Sequence, residues 1–121
     1  MSPRHWRDRA ADIIEAIEEI QGFIGAMTTE QFAADAKTIK AVLANFSIIG
    51  EAANHLPSEV TARAPDIEWK LIRRMRNIIV HSYFGVDLAI VWQTIGEDLP
   101  ELSREVQRLL NEIPPSGGQL P

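Results

Sequence analysis

An all-α fold is predicted, an antiparallel bundle of four main helices plus short helical turns, on three observations. Apolar residues recur every three or four positions over most of the chain. Helix-capping residues stand where those stripes begin, and no stretch alternates with the period of two that a half-buried strand requires.

The elements follow in order. Trp6, Ala10, Ile13, Ile17, Ile20 and Ile24 make one stripe, which predicts a helix over residues 4–27. Thr28 with Gln31 three positions on resembles a capping box and predicts a short second helix around Phe32. Residues 36–56 carry a main apolar face of Ile39, Val42, Leu43, Phe46, Ile49 and Ala53, and Pro57 stops that helix. Ala41, Ala44, Ile48 and Ala52 add a second apolar strip, which in a chain this short points to a partner subunit as well as a core. Residues 58–66 read as a connector with one helical turn. A helix over 67–83 follows and Gly85 breaks it. Asp87 is placed to N-cap a last helix over 88–111, with Pro100 inside it to kink or restart the ladder. Residues 1–113 form one domain on this reading, and the Pro- and Gly-rich stretch 114–121 a disordered tail.

Composition narrows the function classes. The 121 residues suit a single domain, with 45% hydrophobic and 24% charged residues, a balance ordinary for a folded core. No cysteine is present, which excludes disulfides and thiolate metal sites and suits a cytoplasmic location. No apolar run approaches the roughly 20 residues that span a bilayer, and the charged start does not read as a secretory signal. The net charge of −5 argues against a protein that coats nucleic acid nonspecifically. Against that sign, Lys70, Arg73, Arg74 and Arg76 put four cations within seven residues, a local reversal that marks a candidate anion-facing site.

On a helical wheel that starts at Arg76, Leu71, Ile72, Met75, Ile78 and Ile79 gather on a core face. Tyr83 lies within about 20° of Arg76, two turns along. Lys70, Arg73, Arg74, Asn77 and His81 share the side opposite the core, together with Val80 and Phe84. Apolar groups among cations make sense if that side packs against a second subunit and leaves a cleft, where a two-fold axis would join two Arg/His sets. His81 has the one side chain in this run whose ordinary pKa lies near neutral pH, so it can move protons. Arg76 can clamp a phosphate and stabilise charge that develops on it. Together they suit transfer at phosphorus with the 2′-hydroxyl of RNA as nucleophile. His5, His55 and His81 are scattered and cluster with no carboxylate pair, so neither a metal nor another cofactor is expected.

Arg76 to Tyr83 reads R-x4-H-x-Y, which resembles the signature of the HepT-like group of HEPN ribonuclease toxins. The resemblance extends to Trp6-Arg7-Asp8-Arg9, to Ile48-Ile49-Gly50-Glu51-Ala52-Ala53, and to Met75-Arg76-Asn77 leading into His81-Ser82-Tyr83-Phe84-Gly85-Val86-Asp87. It continues through Val91-Trp92 and Asp98-Leu99-Pro100, so it spans nearly the whole chain except the tail. It implies an HEPN-like bundle that acts as a homodimeric, metal-independent endoribonuclease of a toxin–antitoxin pair. Arg76 would be the phosphate and transition-state group and His81 the general base or acid, giving a 2′,3′-cyclic phosphate and a 5′-hydroxyl. The implied partner is an MNT-type nucleotidyltransferase antitoxin, and its implied AMP-modification site is Tyr83.

Other residues carry weaker readings. Asn77, four positions before His81, could orient it or be a surface amide. Arg73, with Lys70 and Arg74, reads as a supporting RNA-facing patch or a solvated charge run. Glu51 is a candidate to reach the cleft from the long third segment, or an exposed helix carboxylate. Trp6, Trp69 and Trp92 read as core or interface anchors. Two other functions fit the same residues: a non-catalytic HEPN module that docks a nucleotidyltransferase and binds nucleotide or RNA, and a bundle used only for assembly.

Overall fold

The structure, a computed structural model, describes residues 5–77 and 86–115. Its helices are α1 (Trp6–Ile24), α2 (Thr29–Ala33), α3 (Ala36–Asn54), α4 (Ser58–Thr61), α5 (Trp69–Arg74), α6 (Leu88–Gln93) and α7 (Leu99–Glu112). A 3-10 turn, Met75–Asn77, extends α5, and a π-helical segment, Thr94–Asp98, joins α6 to α7. No strand occurs among the described residues. The all-α expectation therefore stands. Ile78, Ile79, Val80, His81, Ser82, Tyr83, Phe84 and the tail segment 116–121 lie outside the described residues.

The caps expected at Thr28 and Asp87 are present, and Asp35 supplies a third. Thr28 and Gln31 form a reciprocal capping box at α2. The Asp87 carboxylate accepts from the Ala89 amide at 2.9 Å and begins α6. Asp35 begins α3, accepting from the Thr38 amide at 3.1 Å and from the Thr38 hydroxyl at 2.8 Å. Those two bonds, the backbone one first, hold the Asp35 carboxyl below its ordinary 3.8. A depressed folded-state pKa stabilises the fold above the unfolded value, and that contribution vanishes as pH falls through the folded one. Thermal melts followed from neutral into acid will therefore show a shallower acid decline for Asp35→Asn than for the parent chain.

Helix α1 packs most extensively on α3 and then on α7, with α5 and its 3-10 turn against the same α3. Ile13, Ile17 and Ile20 of α1 meet Ile39, Val42, Phe46 and Ile49 of α3 and Leu99, Leu102, Val106 and Leu109 of α7 in one buried cluster. Arg7 closes the ends of this bundle: its guanidinium donates to the Ile113 carbonyl at 2.7 Å and the Leu110 carbonyl at 3.0 Å. These are carbonyls that the end of α7 leaves unpaired within its own ladder. Arg108 does the same between α7 and the connector, donating to the Arg63 carbonyl at 2.7 Å.

Pro100 has the expected effect by an unforeseen route. Proline lacks the N–H for an α-helical bond, and its ring crowds the carbonyl four residues back, here Gly96. The chain widens just before it, and the Leu99 amide donates to the Thr94 carbonyl five residues earlier. The helix then resumes with Pro100 in its first turn, where a missing N–H costs little.

Three expectations change. The segment predicted as a helix from residue 67 starts at Trp69 and tightens into a 3-10 turn at Met75. The Trp69 indole is buried and donates to the Ala64 carbonyl at 3.0 Å, which ties the start of α5 to the connector. Leu71, expected on the core face, is 54% exposed. Trp69, Ile72 and Met75, spaced by three, occupy the core side instead. Leu71 stands about 100° from Ile72 and rims a groove of about 110 Å³ with Asp66, Ile67 and Glu101. The second strip on α3 also divides: Ala52 is buried, whereas Ala44 is exposed and Ile48 is 49% exposed.

Candidate active site at the Arg76 turn

The 3-10 turn that carries Arg76 is seated on one stretch of α3. Gly50 makes the approach possible. A Cβ there would fall on the Arg76 amide nitrogen and within 2.9 Å of the Arg76 Cα and the Met75 carbonyl carbon. Glycine is thus required at Gly50 for close approach of two backbones. One turn earlier, the Ser47 hydroxyl donates to the Arg76 carbonyl at 3.1 Å. Backbone contact and hydrogen bond together fix where the Arg76 side chain starts.

Glu51, next to Gly50, meets the other end of that side chain. Its Oε1 lies 3.6 Å from Arg76 Nη1, an ion pair rather than a hydrogen bond. The other carboxylate oxygen accepts from His55 Nε2 at 2.9 Å, one helical turn along α3. The His55 hydrogen bond is the main cause that lowers the Glu51 pKa, followed by the positive charges of His55, Arg76 and Arg9. Glu51 therefore stays ionised through the neutral range.

Arg76 and Asn77 are both exposed and Arg73 is half-buried, while Lys70 and Arg74 are exposed on the same short segment. The cationic run expected from the sequence is thus available to an anion. Of the four site residues besides Tyr83, Arg76, Asn77 and Arg73 share this segment, and His81 lies outside the described residues, as does Tyr83. No three His, Cys, Asp or Glu side chains come together as a metal site among the described residues. Trp92 packs its ring 5.1 Å from Phe32 and Trp69 is buried, so both act as packing anchors.

His55 and Ser47 were not singled out in the sequence, and Glu51 carried only a divided reading. One signal was present: Glu51 and His55 are four apart on a helix, so their side chains meet. Nothing local to either residue points to Arg76, which is 25 positions away from Glu51 along the chain. An arginine held by its backbone, paired but exposed, can bind and neutralise a phosphate without a large rearrangement.

Comparison with known proteins gives the family. The family model described as "Ribonuclease HepT-like" matches residues 13–109. "Probable ribonuclease HepT" of Thermococcus cleftensis is 40% identical over 106 residues, covering 88% of this chain and 96% of that protein. "Putative RNase MJ0127" of Methanocaldococcus jannaschii is 33% identical over 102 residues, covering 84% of each chain. No solved structure gives a significant match. With most of its length matched by the family model and by full-length relatives, the chain belongs to the HepT-like ribonuclease family.

Proposed function

We propose that this chain is the toxin of a toxin–antitoxin pair, a metal-independent endoribonuclease that cuts RNA through its own 2′-hydroxyl in a cleft between two copies. The observation that carries the reading is Arg76: an exposed guanidinium on a turn clamped to α3, within a chain of a ribonuclease family. His81 removes the 2′-hydroxyl proton and Arg76 stabilises the charge that builds on phosphorus. The attacking oxygen closes a 2′,3′-cyclic phosphate and the 5′-oxygen departs with a proton. Asn77 orients His81, and Arg73 supports the RNA backbone.

A dimer is favoured by the exposed side of α3. Ala44, Ser47, Ile48, Glu51 and His55 fall within about 100° of one another on the helix. The exposed Ala44 and Ile48 thus border the residues that hold Arg76. An apolar strip at the rim of a charged site suits a subunit contact that leaves the charges in a cleft. An MNT-type nucleotidyltransferase is the proposed antitoxin and Tyr83 its AMP acceptor; the added phosphate would bring negative charge and bulk to the Arg76 side. The location proposed is the cytoplasm, and no helix among the described residues is long and apolar enough to cross a membrane.

The test is an RNA-cleavage assay on purified protein in EDTA, beside His81→Ala. Cleavage with cyclic-phosphate ends by the parent chain alone is the expected outcome. No cleavage, with tight binding to the nucleotidyltransferase, would replace the nuclease by a binding module.

A further inference from the structure

The geometry points to Glu51 as a positioning residue that sets the orientation of the Arg76 guanidinium, with His55 as its anchor. This assignment rests on the reading of Arg76 as an RNA-phosphate group. The backbone of the Arg76 turn is fixed by Gly50 and Ser47, so what remains free is the side chain's own torsions. A long arginine side chain with half its surface in water samples many rotamers unless something holds its tip. Glu51 stands at that tip, 3.6 Å from Nη1.

The carboxylate is itself held. His55 occupies its second oxygen at 2.9 Å, which leaves Oε1 for Arg76. Arg9 adds a further positive charge from α1. Stability is a poor explanation for this cluster. Arg76 and Glu51 side chains are 43% and 51% exposed, and exposed pairs contribute little to folding. The consequence of the contact is orientation. It also has a cost in affinity, because a carboxylate near a phosphate site repels the ligand. A residue that orients the catalytic group while it repels the substrate's charge leaves a signature that packing alone does not: on its removal kcat falls while substrate affinity is kept or improved.

Glu51→Gln keeps the shape and removes the charge. In steady-state RNA cleavage it is expected to lower kcat about tenfold, the scale of a misaligned group, with KM unchanged or lower. His55→Ala, which frees the carboxylate without deleting it, should lower kcat less and in the same sense. Thermal unfolding of each variant should match the parent within a few degrees.

A second readout needs no cleavage. Binding of a 2′-O-methyl RNA oligonucleotide to the parent, Glu51→Gln, Arg76→Ala and the double variant forms a cycle whose effects should depart from additivity by about threefold or more. Additive effects in that cycle, an unchanged kcat, or loss of the fold in Glu51→Gln would each overturn the assignment. If the parent chain cleaves no RNA, the nuclease reading fails and the binding cycle alone decides Glu51, so the two failures stay distinct.

Discussion

Arg76→Ala and His81→Ala are each expected to abolish RNA cleavage and growth arrest, with the Arg76→Ala protein melting close to the parent. The size of the effect follows from the proposed chemistry. One preorganised donor removed from a developing oxyanion costs on the order of a hundred- to a thousandfold in rate. Removal of a general base costs about a hundred- to ten-thousandfold. Each loss is enough to take a modest nuclease below detection. The folding cost of Arg76→Ala is expected to be small because its ion pair with Glu51 is exposed, while the Ser47 bond goes to its backbone and survives. Labelled RNA in EDTA, with a melting curve for each variant, measures both. Cleavage that persists in the double variant would overturn the mechanism.

Gly50→Ala is expected to be among the most damaging single-methyl changes in the described core. The added Cβ meets the Arg76 amide, the Arg76 Cα and the Met75 carbonyl carbon, all backbone atoms that cannot swing aside as a side-chain tip can. Relief requires the 3-10 turn to lift from α3. Overpacking of this kind costs about 3 kcal/mol, which lowers the melting temperature by on the order of 10 °C in a domain this size. Lifting the turn also carries Arg76 away from Ser47 and Glu51, so cleavage should fall even at temperatures where the variant remains folded. Alanine is normally the better helix former by about 1 kcal/mol, so a more stable variant would show that the contact is not as close as described. Differential scanning calorimetry with cleavage assayed well below the melt separates the two effects.

Much of the fold was legible because it is local. The stripe of Ile13, Ile17 and Ile20 states its helix by period, and Thr28 and Asp87 begin helices with bonds to amides two or three residues on. Pro100 announced a disturbance because a missing N–H is a property of the residue. Its form, a π-helical segment, depended on how the neighbouring ladder could yield. Leu71 misled for a similar reason. A wheel assumes one regular helix from 67 onward, whereas the short α5 presents Trp69, Ile72 and Met75 to the core and turns Leu71 outward.

By itself the sequence determined the helical class, the caps at Thr28 and Asp87, and a resemblance to the HepT-like family to which the family model also assigns the chain. It also singled out Arg76 as a candidate phosphate-binding group. Only the tertiary structure decided what surrounds that arginine: Gly50 for contact, Ser47 for its carbonyl, Glu51 for its guanidinium, and His55 behind Glu51. The reason is separation along the chain. Hydrophobic period and capping act over three or four residues, but the α3 residues that hold the Arg76 turn stand more than 20 positions from it. Such a contact exists only once α3 and α5 have packed, and no periodicity in either segment encodes it.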